Sequence, residues 1–169
     1  MATIDEVVII RDGAHHRSID IAPVTSDPEL FAEACNDMHQ MFEREVFDTV
    51  IASESSGTLF ASVVAEKTGR GIVIASSKRR SGIVREFENH HGSRAVSIPE
   101  GIVAKGTKVV IVADVLRSGR DIEAIIGIVE ACGGTVVKLA SFVEDSDFKV
   151  RKTVLKGYPL QSRILTKDY

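Results

Sequence analysis

Apolar residues recur along this chain with two alternating spacings, one typical of strands and one typical of helices. Val109 to Val112 is a run of four β-branched residues, which indicates a strand buried on both faces of a parallel sheet. Ile122 to Val129 follows with apolar residues at helical spacing and ends before the stop signal Gly133-Gly134. Strands and helices that alternate in this way predict an α/β fold, with a mostly parallel, twisted sheet and helices on both faces.

The same spacings predict the remaining elements. Strands are expected at residues 7–10, 47–53, 71–75, 95–99, 108–113, 135–142 and 161–165. Helices are expected from the capping sequence Ser26-Asp27-Pro28-Glu29 to about residue 42, from residue 58 to 67, and from residue 121 to 132. The polar, aperiodic stretch 76–92 predicts a long mobile loop that can contain a hairpin arm. Because we find no linker and no repeat, we predict a single domain over residues 1–169.

Composition limits the class of protein. The chain has 169 residues, of which 44% are hydrophobic and 27% are charged, as in a folded domain with a core of ordinary size. No apolar run approaches the roughly 18 residues of a membrane helix, and Met1 to Glu6 lacks the pattern of a signal peptide. We therefore expect a cytoplasmic protein without a membrane segment. The net charge of -3 argues against broad binding to nucleic acids.

The segment from Val109 to Asp121 predicts an anion site. The buried strand ends near Asp114, the chain turns at Ser118-Gly119, and a helix follows. The backbone N–H groups of residues 117–121 then converge at a helix N-terminus, where unpaired donors and the helix dipole favour an anion. Asp114 is expected at the carboxyl edge of the sheet, where it can bind sugar hydroxyls or a hydrated magnesium ion. On spacing alone, an ordinary strand-loop-helix unit with a surface aspartate is the alternative.

This segment resembles the signature of the type I phosphoribosyltransferases, which has an apolar strand, two acidic residues, two apolar or small residues and then Thr-Gly-x-Thr. Asp114, Ser118 and Gly119 match the second acid, the first hydroxyl residue and the glycine. Ala113 and Asp121 depart from the signature, because they stand where the family has its first acid and its last threonine.

Other segments extend the resemblance over roughly residues 18–165 and toward the purine members of the family. Glu54-Ser55-Ser56-Gly57, between a strand and a helix, is similar to the pyrophosphate loop of xanthine phosphoribosyltransferases. Asp20 to Val24, Phe142-Val143-Glu144 and Leu155 to Ser162 resemble segments of adenine phosphoribosyltransferases.

Two departures follow the strand at residues 71–75. Ser76-Ser77 stands where the family has Arg-Lys, although Lys78, Arg79 and Arg80 come directly afterwards. His90-His91-Gly92 stands where the adenine enzymes have Glu-Tyr-Gly. The positive charge that the family places at the end of this strand is therefore displaced along the chain.

The resemblance implies the type I phosphoribosyltransferase fold, with a small hood built from about residues 1–25 and the C-terminal segment and a flexible loop at about 76–92. It implies a purine phosphoribosyltransferase of purine salvage, which joins an adenine-like or xanthine-like base to the phosphoribosyl group of phosphoribosyl pyrophosphate and releases pyrophosphate. The ligands implied are phosphoribosyl pyrophosphate, a purine base or nucleoside monophosphate, and Mg²⁺. A homodimer is implied as well.

The resemblance also implies a role for individual residues. Asp114 is the expected catalytic residue and the expected magnesium ligand, through water. The expected ligands of the 5′-phosphate and ribose are Asp114, Val115, Leu116, Arg117, Ser118, Gly119, Arg120 and Asp121. The expected pyrophosphate ligands are Glu54, Ser55, Ser56, Gly57 and Lys78. The flexible-loop residues are Arg79, Arg80, His90 and His91, and the expected base contacts are Asp20, Ile21, Phe142 and Glu144.

The residues leave two questions open. Asp121 either faces the bound phosphate, where nearby arginines offset its charge, or caps the helix and turns away. The absence of an acid at Ala113 favours an alternative function, a non-catalytic protein of the same fold that binds a nucleotide or phosphoribosyl pyrophosphate in a regulatory role.

Overall fold

Strands and helices alternate along the chain and build one parallel sheet, as seen in a computed structural model that describes residues 3–11, 18–55, 57–78, 82–89 and 92–166. The helices are α1 (Ile4–Val7), α2 (Ala22–Ser26), α3 (Pro28–Gln40), α4 (Gly57–Thr68) and α5 (Arg120–Ala131). The strands are β1 (Ile9–Arg11), β2 (Ser18–Asp20), β3 (Thr49–Ser53), β4 (Gly71–Ala75), β5 (Ile83–Asn89), β6 (Gly92–Ile98), β7 (Lys108–Leu116), β8 (Thr135–Glu144) and β9 (Leu160–Leu165). Two 3₁₀ turns, Ser146–Phe148 and Val150–Lys152, lie between β8 and β9.

The main sheet has the strand order β4-β3-β7-β8-β9, and all of its pairs are parallel. The crossover through α4 leads from β3 outward to β4, whereas the crossover through α5 leads from β7 to β8 on the other side. The two connections therefore diverge between β3 and β7. In open α/β sheets the crevice at the carboxyl ends of two such strands is where ligands bind.

The sheet is buried on both faces, as the run of β-branched residues predicts. Val110 and Val112 pack in the layer that contains α3 and α4, whereas Val109 and Ile111 pack in the layer that contains α5. All four side chains are at most 1% exposed. The prediction of an α/β fold with helices on both faces is confirmed. No helix within the described ranges has both the length and the apolarity needed to cross a membrane.

The polar segment after β4 forms an antiparallel hairpin in its described part, so the hairpin arm is confirmed, whereas the prediction of a long loop over residues 76–92 is wrong for Ile83–Asn89, which is a strand. β5 pairs with β6 from Ile83↔Ile98 to Asn89↔Gly92. The base of the hairpin is joined to the end of β4, because the backbones of Ser76 and Ser97 exchange two hydrogen bonds of 2.9 Å. The hairpin packs against α5.

The chain before α3 differs from the prediction of one strand at residues 7–10. Thr3 N donates to Glu6 Oε2 over 2.8 Å, and this contact starts the short helix α1, so that the strand β1 begins only at Ile9. β1 and β2 form a separate antiparallel pair. Within the predicted capping sequence Ser26-Asp27-Pro28-Glu29, the residue that caps α3 is Asp27, whose Oδ1 accepts the N–H groups of Glu29 and Leu30 at 2.9 and 3.0 Å.

Candidate active site

The carboxyl ends of β3 and β7 meet at two connected cavities, which we name the cleft and the cradle. The cleft has a volume of about 450 Å³ and is lined by Ser53, Glu54, Ser55, Ala75, Ser77, Phe87, Arg94, Ala95, Val96, Ser118 and Asp121. The cradle has a volume of about 150 Å³ and is lined by Ser53, Ser55, Asp121, Ile122 and the segment 113–119. The two cavities share Ser53, Ser55, Ser118 and Asp121, so one elongated ligand can occupy both.

The cradle is formed by the turn from β7 into α5. Gly119 precedes the helix with a φ of +66°, a conformation that residues with a Cβ rarely adopt. An added Cβ there would also lie 3.1 Å from Val154 Cγ2. Gly119 has no side chain that could cap α5, and at the start of the helix the carboxyl of Asp121 accepts the N–H groups of Asp121 and Ile122. A glycine turn that leads into a helix N-terminus is the local structure of an anion site.

Asp121 lines both cavities, so it does not turn away from the site, but it also caps the start of α5, and each of the two alternatives is therefore correct in part. It accepts hydrogen bonds from the Ile122 N–H and the Ser53 hydroxyl. Burial raises the pKa of the Asp121 carboxyl, and the negative charge of Asp114 raises it further, while those hydrogen bonds act in the opposite direction. Two carboxyl groups therefore face each other across the cradle.

Asp114 lies near the carboxyl end of β7, where the start of α4 packs on the backbone of the strand. A Cβ added to Gly57 would lie 3.0 Å from Asp114 N and 3.3 Å from Ala113 Cα. Only a glycine lets the start of α4 pack this closely on the backbone of β7. Asp114 is partly exposed, whereas Ala113 is 8% exposed and packs in the layer of α5.

The loop after β3 is stabilised by its own hydroxyl groups. Gly57 N donates to Ser55 Oγ over 3.2 Å, and the hydroxyls of Ser53 and Ser55 are 3.3 Å apart. Glu54 differs from its predicted role as a pyrophosphate ligand, because its Oε2 accepts three hydrogen bonds from Ser76 and Ser77, at 2.9 to 3.0 Å. Its carboxylate therefore fastens the loop to the end of β4.

The basic side chains predicted to bind phosphate or diphosphate, those of Arg117, Arg120 and Lys78, lie in three different surroundings. The Arg117 guanidinium stacks over Phe148 at 5.5 Å, and its Nε lies 3.7 Å from Asp145 Oδ2. Its Nε and Nη2 are buried and have no hydrogen-bond partner within the described residues. Arg120 points away from the cradle and pairs with Glu123 at 3.0 Å, on the surface that faces the hairpin. Lys78 is exposed at the base of the hairpin and does not line the cleft.

The residues predicted to contact the base do not gather at the cleft. Phe142 is fully buried in the core, with its ring 4.9 Å from that of Phe60. Glu144 is held by Arg151 at 2.6 Å. Asp20 accepts the Ala22 N–H at 2.8 Å, and Ile21 is buried in the core cluster of α3 and α4. The remaining predicted residues Ser56, Arg79, Arg80, His90 and His91 lie outside the described residues.

Seven residues that line the cleft were not predicted from the sequence, and four of them carry a polar or aromatic side chain: Ser53, Ser77, Phe87 and Arg94. Ser53 is the last residue of β3, so the end of a buried strand was the signal for it. Phe87 and Arg94 are cross-strand partners in the hairpin. Their position depends on how the hairpin packs, which residue spacing does not reveal.

Comparison with known proteins agrees with this geometry. Residues 29–157 match the family model described as phosphoribosyl transferase domain. The chain is 37% identical over 150 residues to an adenine phosphoribosyltransferase of Thermotoga maritima, covering 86% of each chain. It superposes on the crystal structure of an adenine phosphoribosyltransferase from Thermoanaerobacter pseudethanolicus with a TM-score of 0.87 and 28% identity, covering 96% of this chain and 97% of that one.

A more distant structure has the same fold. The adenine phosphoribosyltransferase of Trypanosoma brucei, solved in complex with AMP, pyrophosphate and ribose-5-phosphate, superposes with a TM-score of 0.81 at 16% identity. The match covers 97% of this chain and 78% of that chain. The matching family model, the relatives at more than 30% identity and the shared architecture lead to one assignment. The chain belongs to the type I phosphoribosyltransferase family, within its purine subgroup.

Proposed function

We propose that the chain transfers the phosphoribosyl group of phosphoribosyl pyrophosphate to adenine and releases pyrophosphate. The observation that carries this proposal is that the loop after β3 and the turn from β7 into α5 line the same two connected cavities beside Asp114. Each loop offers N–H groups or hydroxyls to an anion, and a carboxylate lies at their junction. A ligand with a phosphate, a ribose and a diphosphate in that order matches the arrangement. The names of the relatives support adenine as the base.

In this reaction the bond from the anomeric carbon to the pyrophosphate oxygen breaks, a bond from that carbon to a ring nitrogen of the base forms, and the base gives up one proton. The transition state carries positive charge on the ribose. We assign the N–H groups at the start of α5, with Ser118, to the 5′-phosphate, and the hydroxyl of Ser55 to the diphosphate. The Asp114 carboxylate then holds the ribose hydroxyls and stabilises the developing positive charge.

Magnesium is part of the proposal, and the residues at the site fit a hydrated ion that one carboxylate and the substrate hold together. No group of three or more His, Cys, Asp or Glu side chains in the described part of the chain could hold a metal ion. Mg²⁺ commonly keeps several waters and is bound by one or two carboxylates together with substrate phosphates. The partly exposed Asp114 at the cradle fits this mode, and we assign it as the ligand through water. When bound, the ion neutralises charge on the diphosphate.

Pyrophosphate release tests the proposal. Purified protein is mixed with phosphoribosyl pyrophosphate, Mg²⁺ and one of adenine, hypoxanthine, guanine or xanthine. We expect release that depends on adenine and that falls by at least about 100-fold in Asp114→Asn, the scale of removing one electrostatic transition-state contact. The matched control is Glu33→Gln, which removes an exposed carboxylate from α3. Full activity in Asp114→Asn contradicts the assignment of the site.

A regulatory nucleotide-binding protein is the second candidate, and the surroundings of Ala113 favour it. Ala113 stands where the family has an acid, and it borders a small apolar cavity of about 10 Å³ together with Ile111, Leu139 and Leu155. One of the two carboxylates expected next to the ribose is therefore replaced by a methyl group among apolar neighbours. Binding of AMP without pyrophosphate release from any of the four bases supports this second candidate. A cytoplasmic homodimer completes the proposal, and light scattering during gel filtration tests the dimer.

A further inference from the structure

We propose that Arg94, presented by the β5–β6 hairpin, binds the diphosphate group of the substrate, and that the contact of Arg85 with Gly127 positions the hairpin for this. The inference rests on the proposed function, because that function supplies the diphosphate. It assigns to the hairpin the positive charge that Ser76-Ser77 does not provide at the end of β4.

Charge at the cleft is the first argument. Among the described residues that line it, Arg94 is the single basic one, while Glu54 and Asp121 are acidic. The other polar lining residues are serines, which donate hydrogen bonds but carry no charge. The Arg94 side chain is exposed, and within the described residues it enters no ion pair. A diphosphate entering this cleft therefore meets one guanidinium, whose planar fork suits phosphate oxygens.

The register of the hairpin is the second argument. Arg85 pairs with Val96 and Phe87 pairs with Arg94, and since side chains alternate along a strand these four residues share one face. Toward the base of the hairpin this face packs on α5, where Val96 is 3% exposed. Nearer the tip, the same face reaches the cleft through Phe87 and Arg94. Whatever fixes the hairpin on α5 therefore also fixes Arg94.

Gly127 is the third argument. It lies inside α5, where glycine is less favourable than alanine by about 1 kcal/mol. A Cβ at this position would lie within 2.8 Å of three guanidinium atoms of Arg85, so the arginine occupies the space that the missing side chain leaves. Arg85 and Arg120 also line the groove between the hairpin and α5, together with Glu86 and Glu123. The missing side chain at Gly127 thus leaves the space in which Arg85 packs on α5.

The first experiment measures ligand affinity by calorimetry for wild type, Arg94→Gln and Arg94→Lys. We expect phosphoribosyl pyrophosphate to bind Arg94→Gln about 10- to 100-fold more weakly, as for the loss of a charge-assisted hydrogen bond, and Arg94→Lys to recover part of the loss. AMP, which lacks the diphosphate, should bind all three equally. Arg70→Gln is the matched control, since Arg70 is exposed at the opposite end of the sheet, before β4.

Equal affinity of wild type and Arg94→Gln for phosphoribosyl pyrophosphate overturns this inference and leaves the proposed function standing. An equal loss for AMP overturns it as well, because the arginine would then act on a part that both ligands share. Wild-type protein that binds neither ligand overturns the proposed function, and the inference falls with it.

The second experiment tests whether the contact of Arg85 with Gly127 positions the hairpin, and it compares Gly127→Ala, Arg85→Ala and the double variant. The added methyl group displaces only the end of a flexible side chain, so Gly127→Ala should keep its melting temperature or raise it. Its affinity for phosphoribosyl pyrophosphate should nevertheless fall about 5-fold or more, while its affinity for AMP stays constant. In the Arg85→Ala background the same change should have no further effect. No loss in Gly127→Ala, or an equal loss in both backgrounds, overturns the positioning role.

Discussion

Asp121 places a carboxyl group where the family signature has a hydroxyl, and this lowers the stability of the folded protein at neutral pH. The group is partly enclosed, faces Asp114 across the cradle and has a raised pKa. At neutral pH its charge is therefore harder to carry in the folded protein than in the unfolded chain. A residue that weakens the fold at the ligand site is typical of a functional position.

Asp121→Asn is expected to raise the free energy of unfolding at pH 7 and to leave it nearly unchanged at pH 3. A carboxyl group with a raised folded-state pKa is neutral in both states well below its unfolded pKa, about 3.9, and there has no effect on stability. As the pH rises through the raised value, the unfolded state ionises more readily, so the wild type loses stability that the variant keeps. Urea unfolding from pH 3 to 7 measures this; a gain of the same size at every pH contradicts it.

Ala113→Asp restores the residue type of the family signature but should destabilise this protein. Ala113 also lines the cradle, but it is only 8% exposed and packs in the apolar layer of α5 beside a cavity of about 10 Å³, so a carboxylate there lacks room for solvent. Burying a polar group without a hydrogen-bond partner costs roughly 1–3 kcal/mol in mutational series. Thermal unfolding measures the loss, with Ala32→Asp on the exposed surface of α3 as control. An unchanged melting temperature of Ala113→Asp contradicts the conclusion that the surroundings of Ala113 are apolar and closed to solvent.

At the scale of elements, one ion pair joins β8, β9 and the turns between them. Arg151 donates to both carboxylate oxygens of Glu144, at 2.6 to 3.1 Å, and to Leu160 O. Ser162 donates to the same carboxylate at 2.6 Å. The Glu144 side chain is 5% exposed. Glu144, which the sequence analysis predicted as a contact of the purine base, thus holds the last strand of the sheet in place.

Arg151→Met should destabilise the fold by about 3 kcal/mol at pH 7, because it leaves the buried Glu144 carboxylate without its cation. Adding Glu144→Gln should recover much of this loss, since the uncompensated charge is then gone. Chemical denaturation of the two single variants and the double variant measures the coupling. Additive losses contradict the pairing.

Periodic elements were predictable and the hairpin was not. β7 and α5 have continuous apolar patterns, and the structure confirms both within a few residues. The face of β5 that packs on α5 instead carries an exposed arginine between the half-buried Ile83 and Phe87, because Arg85 occupies the space beside Gly127, and this hides the alternation. Phe142 was misplaced for a related reason, since neighbours on a strand face opposite layers and resemblance does not tell which one faces the site.

At the scale of the whole molecule, the site lies where the crossovers of β3 and β7 diverge. That location follows from strand order, which the alternation of strands and helices does not determine. Resemblance to the family located the two loops, and the structure brings both to one crevice. The contribution of the hairpin to the same crevice emerges only from the packing of β5 and β6 on α5.

AMP at about 100 times its dissociation constant should stabilise the protein by about 2.7 kcal/mol, since it binds a site that exists only in the folded chain. The melting temperature should therefore rise with AMP concentration. Adenosine, which has no phosphate for the start of α5, is the control and should have a much smaller effect. Equal shifts with both compounds contradict a role for the cradle in binding phosphate.

The contact of Gly57 with the backbone of β7 fixes a length. No side chain separates the start of α4 from β7, so the sites that we propose for the phosphate and the diphosphate are held at a constant spacing. This spacing then selects ligands by the distance between their two charged ends. A sugar bisphosphate whose ends are closer together or farther apart can engage one site at a time and loses the advantage of binding both at once. We expect such isomers to compete weakly, however much charge they carry.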